Sequence, residues 1–223
     1  MRRIGSRWGG VALICLLVAS LAEVSLAQLP NMPVLQNAFV NPGVTAAVDF
    51  TNLAGWSSFA GAAAWAPGSR RFQLSVGVGG QTHSGESSRT VYGGRVNVPI
   101  IGANSSFGVS GFMGYGGLSG GTIDSTVAKS LLPIGVTAGY RKAIGTSHGF
   151  SIYGSPVYEW VSRGGGASTV GVFRGAVGLD MGITSSIGVT LGLEFGGAQP
   201  VDSGKPSGTA FGGAISYAFS AGR

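Results

Sequence analysis

The sequence predicts an all-β protein, a closed up-and-down antiparallel β-barrel of about ten strands. Ten segments alternate between apolar residues and small or polar residues with a period of two, as a strand with two unlike faces does. Tight and longer breaks separate these segments in alternation. Charged residues make up only 10% of the chain, against a typical ~25%. Together these features are typical of a barrel that spans a membrane, and eight strands remain the alternative count.

The N-terminus of the chain has the pattern of a secretory signal peptide over residues 1–27. A cluster of arginines precedes a short apolar run at 11–22, and Ser25-Leu26-Ala27 supplies the small residues that a signal peptidase reads. The run is shorter than the ~20 residues that a spanning helix needs. We therefore expect export with cleavage after Ala27.

Two further divisions of the chain follow from composition. Residues 28–43 contain three prolines and show no period, so we predict a periplasmic N-terminal linker there, followed by the barrel at 44–223. The single cysteine, Cys15, lies inside the signal peptide. The mature chain is therefore predicted to lack disulfides, a thiol nucleophile and cysteine-ligated metals.

The first five predicted strands alternate clearly except for the second, which is rich in Ala and Ser. They are predicted at 44–50, 56–65, 71–79, 89–100 and 107–116. Trp56 and Trp65 stand at the two ends of the second strand at an odd spacing. A regular strand therefore cannot direct both rings to the same face.

The last five predicted strands end with the C-terminal strand. They are predicted at 132–142, 150–160, 170–181, 187–195 and 208–219. Pro156 interrupts the seventh, and a proline within a strand usually marks a bulge or an edge. The tenth strand places Phe211, Ile215, Tyr217 and Phe219 on one face. Pairing of this strand with the first would close the barrel and remove an exposed edge.

The breaks between strands differ on the two predicted rims. Those at 66–70, 101–106, 145–149 and 184–186 are tight, whereas the breaks at 51–55, 80–88, 117–130, 162–168 and 198–208 are modest or longer. In outer-membrane barrels the longer loops lie outside the cell. An even strand count then places both termini on the periplasmic side. Aromatic residues concentrate near the strand ends, which predicts two girdles at the membrane interfaces.

Seven charged residues within the strands fall on the face opposite the apolar residues. An Arg or Lys on the lipid face near the midplane costs roughly 2–4 kcal/mol, whereas a charge in the lumen can be paired or hydrated. We predict that these residues form a lumen charge network: Asp49, Arg95, Arg141, Glu159, Arg174, Asp180 and Glu194.

The ending Tyr217-Ala218-Phe219 resembles the signal that the bacterial barrel-assembly machinery reads, an aromatic-x-aromatic close after a glycine. With the signal peptide, the alternating strands and the loop asymmetry, the whole chain resembles the small outer-membrane β-barrels of the OmpA-like and opacity-protein group. It departs from that pattern at Ala214, where a glycine is usual, and in extending to Arg223. The resemblance implies a monomer in the bacterial outer membrane, with membrane lipid and the assembly machinery as partners.

Some small barrels of this kind modify lipid A with His, Ser and an acid, and one predicted loop contains these residue types. His83, Ser84, Glu86 and Ser87 stand together there. Sequence neighbours rarely have the geometry of a catalytic triad, so we expect no enzyme and no catalytic residues. Two histidines without mature cysteines do not indicate a metal site, and nothing indicates a cofactor.

The sequence therefore predicts a non-enzymatic outer-membrane barrel with a structural or surface-interaction role, or a narrow pore with a charged lumen network. The alternatives are a channel for small solutes or lipids, a lipid A-modifying barrel enzyme, and a soluble secreted β-barrel that acts as a binding module. Basic residues are scattered along the chain, so a nucleic-acid partner is not expected.

Overall fold

The computed structural model describes residues 38–53, 56–85, 87–102, 105–120, 128–144, 148–163, 168–196 and 209–219. The predicted signal peptide lies outside this part of the chain. Ten strands are formed: β1 (Gly43–Leu53), β2 (Trp56–Ala66), β3 (Gln73–Thr82), β4 (Arg89–Ile101), β5 (Phe107–Ser119), β6 (Ala128–Ile144), β7 (His148–Arg163), β8 (Val170–Gly182), β9 (Ile187–Phe195) and β10 (Ala210–Phe219). Among the described residues no helix has the length and apolarity to cross a membrane.

The strands form one closed antiparallel barrel in which each strand pairs with its neighbours in sequence. The first and last strands complete the circle, with Val44 opposite Phe219 and Asp49 opposite Ala214. The predicted fold class and the count of ten strands are confirmed. The largest difference in bounds is at β6, which begins at Ala128 rather than at 132. Leu131 there is buried in the lumen, and this apolar contact extends the strand beyond its sequence pattern.

The two rims of the barrel carry different connections. The rim with the chain start of β1, here named the turn rim, holds the links at 67–72, 102–106, 145–147 and 183–186. The opposite rim, named the loop rim, holds the links at 54–55, 83–88, 120–127, 164–169 and 196–209. The β1–β2 link is shorter than predicted, whereas the longest connection, between β9 and β10, lies on the loop rim as expected.

The outward face of the barrel is a continuous apolar surface. Many of its large hydrophobic side chains are well exposed, up to 65% for Phe173 and Ile215. Trp65 points outward and Trp56 is buried, as their odd spacing predicted. Monomeric soluble proteins rarely expose contiguous apolar patches larger than a few hundred Å².

Aromatic rings on this face cover glycines of the neighbouring strand. A Cβ added at Gly117 would lie 2.7 Å from the Tyr92 ring, and one added at Gly175 would lie 2.8 Å from the Phe195 ring. Each ring therefore fills the space that a side chain would occupy on the partner strand. This pairing of aromatic and glycine residues explains part of the high glycine content.

The proline in β7 does not break the strand. Pro156 pairs with Gly175 in an unbroken β7–β8 register, and β7 lies inside the closed sheet rather than at an edge. On the β6 side the neighbouring side chains make hydrogen bonds. Ser155 Oγ donates to the carbonyl of Val136 at 3.1 Å and lies 2.9 Å from Thr137 Oγ1. These contacts hold β6 and β7 together at the point where proline has no N–H to donate.

Candidate functional site in the barrel lumen

The lumen of the barrel contains many polar and charged side chains that are almost entirely buried, beside a smaller apolar cluster that includes Phe112, Leu131 and Val157. They alternate along the strands with the outward apolar residues. The buried polar set comprises Asp49, Thr51, Ser75, Gln81, Arg89, Arg95, Asn97, Ser110, Thr137, Ser151, Ser155, Glu159, Arg174 and Glu194. Five of the seven predicted network residues are therefore buried, and the other two, Arg141 and Asp180, are of intermediate exposure.

One group of charges lies where β7, β8 and β9 adjoin, nearer the loop rim. Arg174 Nε donates to Glu194 Oε1 in an ion pair, and both side chains are completely buried. Glu159, on β7, is close enough to interact electrostatically with both of them. Its Oε1 and Glu194 Oε2 have no hydrogen-bond partner among the described residues. The group, named the Arg174 cluster, thus places one guanidinium with two carboxylates.

A second group is centred on Arg95 in β4. Arg95 Nε donates to Asn97 Oδ1 at 2.6 Å, and Asn97 Nδ2 donates to Gln73 Oε1 at 3.2 Å. The guanidinium carbon lies 3.6 Å from the centroid of the Phe112 ring, in a cation–π contact. Gly135 makes room for that ring, since a Cβ there would lie 2.6 Å from Phe112 Cζ. The terminal nitrogens of Arg95 have no hydrogen-bond partner among the described residues.

The remaining predicted network residues lie elsewhere in the lumen. Asp180, near the turn rim, accepts hydrogen bonds from Ser151 Oγ at 3.0 Å and Thr190 Oγ1 at 2.7 Å. Asp49 is buried on β1, between Ala60 and Ala214 of the flanking strands. The structure therefore distributes the predicted network over several groups, and the Arg174 cluster joins three of its members by ion pairing or electrostatic interaction.

Arg141 lies at the turn rim beside residues that precede β1. Its guanidinium carbon is 4.5 Å from the centroid of the Phe39 ring, and its Nε donates to the Ser105 carbonyl at 3.0 Å. Residues 38–40 belong to the predicted linker at 28–43, and the structure places their side chains inside the barrel. The rest of that linker up to residue 37 lies outside the described residues.

Sequence reasoning missed a group at the loop rim. The Arg89 guanidinium carbon lies 4.1 Å from the centroid of the Trp56 ring. The His83 ring stacks against the same indole with centroids 4.8 Å apart and planes tilted by 32°. The signal was present in the spacing, because Arg89 is six residues from Arg95 and therefore shares its inward face.

The residues of the catalytic hypothesis are only partly described. The His83 ring contacts the Trp56 ring, and His83 Nδ1 has no hydrogen-bond partner among the described residues. Glu86 lies outside that part of the chain. The prediction that this protein is not an enzyme stays a prediction. Among the described residues, no group of three or more His, Cys, Asp or Glu side chains is placed to hold a metal ion.

A cavity of about 570 Å³ opens at the turn rim. Phe39, Thr45, Ala63, Asp180 and Thr190 are among the residues that line it. The small residues Ala62 and Ala64 of β2 also line it. Arg174, Glu194 and Arg95 are not among the described residues that line this cavity.

No family model matches the sequence, and no curated protein matches it either. Solved structures do match the fold. The neighbours of this chain are outer-membrane β-barrels. A bacterial polysaccharide outer-membrane secretin matches with a TM-score of 0.44 and 11% identity, over 74% of this chain and 57% of its own length. The chain therefore spans a little over half of that protein.

Two further structures match over nearly their whole length. Omp33 of Acinetobacter baumannii has a TM-score of 0.40 and 11% identity, over 81% of this chain and 99% of its own. The translocator domain of the autotransporter NalP from Neisseria meningitidis has a TM-score of 0.41 and 12% identity, over 95% of this chain and 98% of its own. The barrel assignment for this chain rests on its own strand pairing.

Proposed function

We propose that this chain is a non-enzymatic integral protein of the bacterial outer membrane whose lumen is a narrow, gated path for small ions. The membrane part of the proposal is supported by the outward face. Large apolar side chains, between 37% and 65% exposed, cover that face, and the buried charges lie inside. In a soluble barrel the apolar residues would face inward instead.

The Arg174 cluster is the observation that carries the pore assignment. A buried ion pair stabilises a fold no better than well-packed apolar residues of similar volume. Ionisable residues at membrane depth are costly and commonly mark an ion or proton path. The cluster places three ionisable groups in the lumen, although apolar side chains such as Val157 and Val172 are buried beside them. This is the arrangement of a gate rather than of a core.

Charged side chains of the lumen are buried in the barrel interior, so we expect conduction to require their movement. Arg174 and Glu194 are completely buried, and Thr137 and Ser110 nearby in the barrel interior are nearly so. Ten-stranded barrels have interiors between those filled by side chains and those that leave a wide aqueous channel. We therefore expect rare openings of low conductance rather than the steady current of a large porin.

A structural or surface-interaction role is the second candidate, and the filled lumen is the observation that favours it. A barrel that only anchors loops or maintains the envelope needs no opening. We propose outer-membrane lipid and the barrel-assembly machinery as partners in either case, with the protein acting as a monomer. The two roles differ in whether any current is measured.

Electrophoresis without boiling tests the membrane barrel. The purified protein in mild detergent should run faster before boiling than after it, because a closed barrel stays compact in detergent. The same protein should precipitate when detergent is removed in the absence of lipid. A protein that stays soluble without detergent and shows no mobility shift would contradict the membrane assignment.

Planar bilayer recording tests the pore. Wild-type protein should show small, infrequent openings, and Arg174→Gln should change their size or frequency because the cation of the cluster is lost. Lys142→Gln, an exposed charge at the turn rim, serves as the matched control and should behave as wild type. Absence of current from wild type and from both variants would contradict the pore and leave the structural role.

A further inference from the structure

Residues 38–40 enter the lumen at the turn rim before the chain begins β1. Ala38, Phe39 and Val40 are between 2% and 4% exposed. The chain then turns into β1 at Gly43, whose φ of 102° lies in a region that other residues rarely adopt. Asn41 and Pro42 line cavities at the rim. The segment is thus folded back into the barrel by a defined turn.

The barrel wall is shaped to receive this segment. Gly108 of β5 and Gly139 of β6 are direct partners across the ladder. A Cβ added at Gly108 would lie 2.6 Å from Phe39 Cε1, and one added at Gly139 would lie 2.8 Å from Ala38 Cβ. A side chain at either position would overlap atoms of the segment as it is now seated. The paired glycines therefore form a socket in the wall, named here the glycine socket.

Polar and aromatic contacts orient the segment in the socket. Ser110 Oγ donates a hydrogen bond to the Ala38 carbonyl at 2.6 Å, and the serine is buried on the same inward face as Gly108. Tyr153 packs with Ala38 and Phe39 in one small apolar cluster. The Arg141 guanidinium lies over the Phe39 ring. These contacts come from three strands, so the seat is a feature of the barrel and not of one hairpin.

The contacts are too few to make the segment part of the barrel sheet. Residues 38–40 pair with no strand, whereas each neighbouring strand is held by a full ladder. Space adjoins the segment on two sides, because Phe39 and Asn41 line both the cavity of about 570 Å³ and a second one of about 470 Å³. Withdrawal of the segment would therefore break no strand ladder and has space to move into.

We propose that residues 38–40 are a removable plug, seated in the glycine socket by the Phe39 ring, which obstructs the lumen beside the two turn-rim cavities. The role of this plug in controlling current rests on the pore proposed above. The presence of the plug does not rest on the pore, because its position in the glycine socket can be tested in a barrel that passes no current. The two tests below therefore separate the two proposals.

Thiol labelling tests whether residues 38–40 are held in the glycine socket. Val40→Cys is made in a Cys15→Ser background, and a water-soluble maleimide is added to the folded, heat-modifiable protein. Labelling should be slow, because position 40 is buried. Adding Phe39→Ala, which removes the ring, or Gly108→Leu, which fills the socket, should raise the rate at least about tenfold, since buried ring contacts and cation–π contacts shift equilibria by that order.

Matched controls exclude general loosening. Phe107→Ala removes an exposed ring beside Gly108 on the same strand, and Gly61→Leu adds a side chain where no atom lies within 4 Å of the new Cβ. Neither should change the labelling rate. Fast labelling of Val40→Cys without any second substitution would overturn the plug and leave the pore proposal standing. Equal rates in the socket variants and the controls would also overturn it.

Bilayer recording then tests the coupling of plug and pore. Phe39→Ala and Gly108→Leu should raise the fraction of time spent open, while Phe107→Ala and Gly61→Leu should match wild type. If labelling rises in the socket variants and no variant passes current, the seated plug is supported and the pore is contradicted. If current flows equally in all variants although labelling rises, the plug does not obstruct the lumen and its proposed role is overturned.

Discussion

For single residues, the ion pair of Arg174 and Glu194 shows that the stability of the lumen depends on pairing each buried charge. Removing one partner of a buried pair leaves an uncompensated charge, whereas replacing the whole group by apolar residues can be neutral or stabilising. Both side chains are completely buried, and Glu159 adds a second carboxylate. The stability of this layer is therefore expected to be strongly non-additive.

Arg174→Met should lower the free energy of unfolding by about 3–5 kcal/mol, the cost of a buried charge without its partner. The triple variant with Glu159→Leu and Glu194→Leu should recover most of that loss. Urea unfolding of protein in lipid vesicles, followed by tryptophan fluorescence, measures both. Lys142→Met, at an exposed site, should stay within about 0.5 kcal/mol of wild type. A triple variant less stable than Arg174→Met would contradict the argument.

Gly178 illustrates a second effect of a single residue, in which a glycine leaves room for a large aromatic ring on the neighbouring strand. Gly178 is the partner of Tyr153 in the β7–β8 ladder, and a Cβ at position 178 would overlap the phenol ring. Gly178→Ala should cost about 1–3 kcal/mol through overpacking. Gly61→Ala, where the new Cβ meets no atom within 4 Å, is the control. Equal unfolding free energies for the two variants would show that the ring is not constrained by the glycine.

Among the strands, β10 has two roles. It closes the barrel by pairing with β1 and β9, and it carries the ending that resembles the assembly signal. Tyr217 and Phe219 project outward with their rings 5.0 Å apart in an edge-to-face contact. Both rings are therefore accessible from outside the barrel, as recognition by another protein would require.

Phe219→Ala should reduce the amount of folded barrel in the membranes of expressing bacteria several-fold. It should change the stability of protein refolded in vitro by only about 0.5 kcal/mol, as for other exposed sites. Comparison of heat-modifiable protein in membranes with urea unfolding of refolded protein separates these effects. Phe211→Ala, at the other end of β10, is the control. Equal losses for both variants in membranes would argue against a C-terminal assembly signal.

For the whole molecule, the decisive property is which face of the sheet is apolar. Val76 lies in the middle of β3 with its side chain 61% exposed. In a soluble protein an Arg at such a position would be harmless, because its charge would be hydrated. In a membrane the same charge would lie near the bilayer midplane.

Val76→Arg should therefore cost about 2–4 kcal/mol in lipid vesicles, whereas Thr82→Arg at the loop rim of the same strand should cost about 0–1 kcal/mol. Reversible unfolding in vesicles measures both values. A Val76→Arg variant as stable as Thr82→Arg would mean that this face does not contact lipid. The membrane assignment would then fail for the molecule as a whole.

Local patterns in the sequence are enough to predict the strands, their two faces and the closure of the barrel. Period-two alternation is local, so residues such as Phe211, Ile215 and Tyr217 reveal both a strand and its outward side without knowledge of any neighbour. The same rule predicted that Trp56 and Trp65 cannot share a face, and the structure places Trp56 inside and Trp65 outside. The rule also placed all seven predicted charges on the face opposite the apolar one.

Which of these residues contact one another depends on the tertiary structure. Whether Arg174 contacts Glu194, or Arg95 stacks on Phe112, depends on the register and tilt of strands around a closed sheet, which a single strand's pattern does not contain. The position of Phe39 shows this most clearly. Three prolines and no period predict a linker at 28–43, yet the socket at Gly108 and Gly139 exists only once β5 and β6 are paired, and that pairing brings the segment inside.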